Sequence, residues 1–342
     1  MSAQRRPGES DPEDHKTEKA APAPENLKTD GQPDELEPMP DFDVLSKRTN
    51  PQDQTTDRLD ADELAEGWAE FEDRRPEKHA VLAFGAKTDL GSVRENNEDK
   101  YDLLEPQQPG ILATKGRLYG VADGMGGHSA GQIASELALK TVIHTYYREP
   151  SADVVQSLRT AVSEANSLIF DTAQLIPERQ GMGTTLTLAV VLEDQLIVAN
   201  VGDSRTYLIR EGQAKQVTND HSWVAEQVRL GTMTLEEASL SPLRNVITRS
   251  IGTSPAVEPD FYYETLREGD SVVLCSDGLT GHIDPEELAE RLSSETGRAI
   301  GPSVAAMRLV ELANARGGRD NISVIIINIR EIVPFEKCAF GD

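Results

Sequence analysis

The run TTLTLAVVLEDQLIVANVGDSRTYLIR, Thr184–Arg210, reads as strands in quick succession: Thr184 to Leu192, Leu196 to Val201 and Arg205 to Arg210. They form a hairpin-like cluster. Working outward, Val81 to Ala86 and Leu118 to Ala122 also read as strands, and Ser129 to Tyr147 and Ala152 to Leu175 as a pair of helices. Downstream, His221 to Ser254 is mixed, helical and polar. Ser271 to Ser276 is a strand, Pro285 to Leu292 and Ser303 to Ala315 are helices, and Ser323 to Ile329 is a closing strand. Strands cluster and helices pair, without strict β-α-β alternation. That pattern predicts an antiparallel α+β layer architecture rather than a doubly wound parallel sheet. No internal repeat of 20–50 residues is visible.

The chain divides near residue 78. Residues 1–80 carry 22 Asp and Glu against 11 Lys and Arg, nine of the 19 prolines, and only three aromatics. Such a segment buries too little apolar surface to offset its ordering entropy, so 1–78 is expected to be mostly disordered. One stretch differs: in residues 60–75, Leu64, Trp68 and Phe71 fall on one face of a short helix that could dock on a partner or on the folded domain. A folded domain at 79–333 and a tail at 334–342 complete the division.

The net charge of −25 argues against nucleic acid or an anionic membrane as the main partner. Two cysteines imply no disulfide framework. The opening residues MSAQRRPGES lack the apolar core of a signal peptide, and no apolar run is long enough to span a bilayer, so a cytoplasmic location is expected.

Four acids share one setting. Asp123 ends LYGVA, Asp277 follows VVLCS, Asp320 precedes NISVIII, and Asp203 follows VANVG. Each lies where an apolar strand meets a loop. A carboxylate at a buried strand end is costly unless paired or metal-bound, and nearby basic residues are too few to pair them all. One Asp-Gly is ordinarily a turn; four such junctions point to one shared cation site, and all-oxygen ligands select Mg²⁺ or Mn²⁺. Gly124 and its neighbours clear side chains from around Asp123, so backbone carbonyls and water can approach an ion. The glycine-rich stretch DGMGGHSAG matches neither a P-loop nor a dinucleotide-binding fingerprint. In TDLGSVRENNEDKY, Thr88–Tyr101, Arg94 offers a planar fork for phosphate, and Glu98 and Asp99 follow it closely.

The ordered motifs VRENNED, DGMGGHSAG, GMGTT, NVGDSR, NDHS, SDGLT and GGRDNISV resemble the PPM family, the type 2C metal-dependent serine/threonine protein phosphatases, in their bacterial form. The resemblance covers about residues 80–332. It implies a four-layer αββα sandwich, two antiparallel sheets flanked by helix pairs, with the site at one edge. It also implies two Mn²⁺ or Mg²⁺ ions and a weaker third. Asp123 would bridge two ions, the Gly124 carbonyl would bind one of them, and Asp277 and Asp320 would ligate the other. Glu98 and Asp99 would act near the ions, Arg94 would hold the substrate phosphate, and Asp203 would help bind the third ion. The implied reaction is hydrolysis of phosphoserine and phosphothreonine on proteins by a water that two metals activate, reversing a serine/threonine kinase. The implied enzyme is a monomer that needs no covalent phospho-enzyme. Residues 219–255 resemble the family's flap, where Arg244 and Arg249 either contact substrate or pair with local acids.

The chain departs from the family pattern at two positions. Gly281 stands where many relatives carry an acid supporting the third ion, leaving that ion weaker or Asp284 in its place. Met125 follows the Asp-Gly pair where eukaryotic members place a histidine; His128 is a helix-entry residue or a general acid. Two motifs are decoys. DFDVL, Asp41–Leu45, lacks the buried strand an aspartyl-phosphate enzyme needs, and the sequon at Asn321 sits in an apolar strand. The rival class is a catalytically dead phosphoprotein-binding module, which should have lost the metal acids; all are present.

Overall fold

The computed structural model describes residues 78–334, with 128 and 294 excepted. The helix expected at 60–75, the DFDVL decoy, His128, Cys338 and the residues beyond 334 lie outside the described residues.

Eleven strands are described: β1 (Lys78–Asp89), β2 (Asp99–Leu104), β3 (Arg117–Met125), β4 (Gly183–Thr184), β5 (Leu186–Leu192), β6 (Gln195–Val201), β7 (Arg205–Arg210), β8 (Gln213–Gln216), β9 (Asp260–Thr265), β10 (Ser271–Cys275) and β11 (Ile322–Pro334). They form two antiparallel sheets. One runs β1-β11-β10-β7-β8; the other runs β2-β3-β5-β6-β9, with β4 pairing β3. The helices are α1 (Pro109–Lys115), α2 (Ser129–Arg148), α3 (Val154–Leu175), α4 (Trp223–Arg229), α5 (Leu235–Leu240), α6 (Asp277–Thr280), α7 (Pro285–Ser293) and α8 (Glu295–Ala315).

Three apolar cores separate four layers, and the period-2 alternation of the strands assigns residues to them. Tyr119 and Val121 of β3 face Leu274 of β10 and Ile325 and Ile327 of β11 between the sheets. Leu118 and Ala122, one step out of phase, face Leu139 and Val142 of α2 and Leu158 and Val162 of α3. On the far side Val324 and Ile326 of β11 and Val273 of β10 face Leu288 of α7 and Leu309 and Val310 of α8. This is the αββα sandwich. Each fully buried Leu, Ile or Val contributes about 1.5–3 kcal/mol. Among the described residues no helix is long and apolar enough to cross a membrane.

The expected elements are altered locally. The strand expected over Thr184–Leu192 is broken at Thr185, whose N–H donates to the Asp123 carbonyl instead of a ladder partner. Helix α3 starts at Val154 because Asp153 caps it, accepting from Val155 and Gln156 N–H. The helix expected from Ser303 begins earlier and is interrupted at Gly301, φ 73°, immediately before Pro302. Strands β2, β8 and β9 are additions, and the mixed region at 221–254 holds only the short α4 and α5.

Candidate active site

The strand ends converge on one pocket of about 420 Å³. Arg94, Glu98, Asp123, Gly124, Asp203, Asp277 and Asp320 all line it. Asp123 is near the end of β3, directly opposite Asp99 on β2. Asp277 opens α6 just after β10, Asp320 lies just before β11, and Asp203 sits in the β6–β7 connection. Residues up to 226 positions apart in sequence meet here because antiparallel strands of both sheets end on the same edge.

Local chemistry explains the surrounding motifs. The Asp123 backbone is clamped by the Thr-Thr pair: Thr184 Oγ1 and Thr185 N–H both donate to its carbonyl at 2.9 Å, and its own N–H donates to Thr185 Oγ1 at 2.9 Å. Thr185 Oγ1 also meets Ser204 Oγ at 2.7 Å, tying the loop of Asp203 to the same point. Arg205 grips Asp220 through Nε and Nη2, at 3.0 and 2.7 Å, joining the GDSR and NDHS motifs. A side chain at Gly124 would lie 2.1 Å from the Gly131 carbonyl oxygen, so only glycine lets β3 approach the first turn of α2. At Gly278 it would lie 2.0 Å from the Asn321 carbonyl oxygen, so α6 packs directly on the Asp320–Asn321 backbone.

The site is strongly anionic. Burial, then the charges of Asp277 and Asp320, pushes Asp99 up to about 7, against the opposing hydrogen bonds of Ser276 and Ser323. Burial, then Asp277 and Asp220, pushes Asp203 up to about 7. Burial and the neighbouring aspartates raise Asp123 well above the usual carboxylate range, and burial and Asp320 raise Asp277. Asp99 Oδ1 and Asp277 Oδ1 are buried with no hydrogen-bond partner. Such groups want a cation. Oxygen-only donors with orphaned carboxylate atoms fit a hard divalent ion. Among the described residues no three His, Cys, Asp or Glu side chains are already gathered into a metal cage. The acids ring the pocket instead, and Asp320 Oδ2 accepts from Arg94 Nη2 at 2.7 Å.

Asp99 lies just behind the pocket, while Arg249, Arg244 and Asp284 sit outside its lining. Asp99 is fully buried and does not line the pocket; its Oδ2 accepts from Ser276 Oγ at 2.7 Å. Arg249 is turned away: Nη1 donates to Asp260 Oδ1 at 2.6 Å and to the Glu258 carbonyl at 3.0 Å. Asp260 Oδ2 in turn meets His221 Nε2 at 3.1 Å, and His221 Nδ1 accepts from Gly202 N–H at 3.0 Å, so Nε2 carries the proton. Arg244 is exposed and outside the lining. The flap reaches the pocket through Asn245 and Ile247 instead, which nothing in their residue type announced. Asp284 Oδ1 accepts from Glu287 N–H at 2.7 Å, capping α7 rather than lining the pocket. Asn96 and Asn321 also line the pocket and went unnoticed as site residues.

Comparison with known proteins agrees with this architecture. Residues 87–322 match the family model of protein phosphatase 2C. The serine/threonine protein phosphatase PstP of Mycobacterium tuberculosis is 38% identical over 251 residues, 73% of this chain and 45% of that protein. The serine/threonine phosphatase stp of Listeria monocytogenes is 36% identical over 248 residues, 70% of this chain and 93% of that protein. A solved structure of the PstP catalytic domain in complex with two manganese ions superposes with a TM-score of 0.63 at 35% identity, covering 74% of this chain and all of that one. The chain thus spans less than half of PstP but nearly all of the Listeria protein. From the αββα sandwich, the ring of strand-end acids and these likenesses, the chain belongs to the protein phosphatase 2C family.

Proposed function

We propose that the domain at 79–333 hydrolyses phosphoserine and phosphothreonine on proteins, in the cytoplasm, opposite a serine/threonine kinase and as a monomer. The observation that carries this reading is the pocket itself: four strand-end aspartates, unpartnered buried oxygens on one of them, Asp277, and on the adjacent Asp99, and one arginine at its rim. Asp123, Asp277 and Asp320, with the Gly124 carbonyl, would hold two Mn²⁺ or Mg²⁺ ions, and Asp203 a weaker third. When bound, such ions lower the pKa of water and neutralise charge developing on the phosphoryl oxygens.

The chain's own residues do the rest. Arg94, with half of its side chain exposed, presents its guanidinium to the phosphoryl oxygens. Glu98, on the same rim, orients water beside the acids. Thr184 and Thr185 hold the Asp123 backbone so that its carboxylate keeps one aim. Asn245 and Ile247 bring the flap against the substrate side of the pocket. A cysteine nucleophile is disfavoured: Cys275 is fully buried, its thiol pushed up to about 12 by burial. Position 281, six residues on, is glycine.

The test is phosphate release from a phosphothreonine peptide with Mn²⁺ or Mg²⁺, with and without EDTA, alongside Asp123→Asn. Turnover that needs the ion and is lost in the variant supports the reading. An inert wild-type chain with every divalent ion, also after removal of residues 1–78, would favour the phosphoprotein-binding module.

A further inference from the structure

We propose that Asn321 is a positioning residue that sets the aim of Arg94 and Glu98; the inference rests on the phosphatase reading above. Asn321 is 4% exposed and its side chain is spent on one loop. Oδ1 accepts from Glu98 N–H at 2.8 Å, while Nδ2 donates to the Leu90 carbonyl at 2.8 Å and the Asn96 carbonyl at 3.0 Å. The partners lie 223 to 231 residues away in sequence and at both ends of the segment between β1 and β2. That segment carries Arg94 in its middle and Glu98 at its end and has no helix or strand of its own.

The chemistry demands an amide. One acceptor and two donors on a single short head are supplied by Asn, whereas Asp cannot donate and Ser is too short to reach three groups. Asn321 is itself fixed: its N–H donates to Asp320 Oδ1 at 2.9 Å, and its carbonyl abuts Gly278 of α6. The side chain therefore transmits the position of Asp320 and Asp277 to the loop opposite. The loop has other anchors: Ser92 N–H donates to the Gly318 carbonyl at 2.7 Å and Asn97 Nδ2 to Thr88 Oγ1 at 2.9 Å. Loss of the amide leaves the loop attached but free to shift. The half-exposed Arg94 side chain is held at its tip by Asp320 Oδ2 and at its base by this loop, so a shift of the loop backbone changes its aim.

The test uses the full chain with Asn321→Ala, and Asn321→Ser should the first fail to fold. Hydrogen exchange at the Glu98 amide, read without any turnover, should accelerate at least about tenfold, while Val324 in β11 keeps its protection. On a phosphothreonine peptide with Mn²⁺, kcat/KM should fall about 10²-fold, the size expected for a misplacement near one ångström, with KM carrying the larger part. In an Arg94→Ala background the same substitution should cost at least about threefold less than in wild type, because the share acting through Arg94 is already gone and only that through Glu98 remains. Unchanged Glu98 protection, or equal losses in both backgrounds, overturns the proposal. A wild-type chain that releases no phosphate overturns the phosphatase reading instead, and the exchange measurement still decides whether Asn321 holds the loop.

Discussion

Gly124→Ala is a one-carbon change aimed at the closest backbone approach in the site. The new Cβ would sit 2.1 Å from the Gly131 carbonyl oxygen and 2.7 Å from that of Glu98, where ordinary contact begins at 3.4 Å. Both obstacles are backbone, so neither can rotate away. The end of β3 and the first turn of α2 must part by more than an ångström, or β3 must slide from β2. Either motion displaces the Asp123 carboxylate and the Gly124 carbonyl from Asp277 and Asp320. Overpacking of this kind costs about 1–3 kcal/mol of stability. A displacement near one ångström costs about 10²-fold in rate. The assay is kcat/KM on a phosphothreonine peptide with saturating Mn²⁺, beside a thermal melt. Gly212→Ala serves as control: it has φ +80° and open space around the added carbon, so it loses about 1–2 kcal/mol to backbone strain and no activity. A Gly124→Ala enzyme within threefold of wild type would refute the claim that close approach of β3 and α2 builds the site.

Arg94→Ala removes a charge-assisted contact of about 1.5–3 kcal/mol, so kcat/KM on the peptide should fall about 10- to 10²-fold while the fold melts within a few degrees of wild type; an unchanged kcat/KM would remove Arg94 from the substrate. Leu274→Ala, buried between the sheets, should cost about 2–5 kcal/mol in denaturant unfolding with kcat/KM of the folded fraction unchanged. His221 has its pKa lowered from 6.5, first by burial, so it is neutral in the folded chain. Its folded pKa lies below its unfolded one, so its contribution is intact above about 6.5 and is lost as pH falls toward the folded value. The melting difference between wild type and His221→Gln should therefore shrink from pH 7 to pH 5; a difference independent of pH contradicts a neutral His221.

The acids of the site were legible because each one interrupts an apolar run. Asp123, Asp203, Asp277 and Asp320 stand where a strand pattern stops, and unpaired charge at such a point is costly whatever the fold. The layers were legible for a related reason: β3, β10 and β11 alternate between two apolar cores, so nearly every residue in them is apolar. The edge strands β2, β8 and β9 were not, although the edge strand β1 was. In β2, DKYDLL, Asp99 is buried while Lys100 sends its ammonium back to the Asn97 and Asp99 carbonyls, and charge masks the alternation. Strand β9, DFYYET, likewise has one neighbour and an exposed Tyr263. Arg249 illustrates a different limit: its partner Asp260 lies eleven residues on, and only the fold decides between that carboxylate and a substrate phosphate. Asn321 was hidden because an Asn after an Asp ordinarily reads as a turn, and its three partners are more than 220 residues away.

Calorimetric titration of Mn²⁺ into the ion-free chain and into Asp123→Asn tests the ion site most directly. The wild-type chain should bind two ions, and in the variant binding should weaken by at least about tenfold, or 1.4 kcal/mol. Identical isotherms for the two proteins, or no binding to either, would contradict a divalent-ion site built from these buried carboxylates.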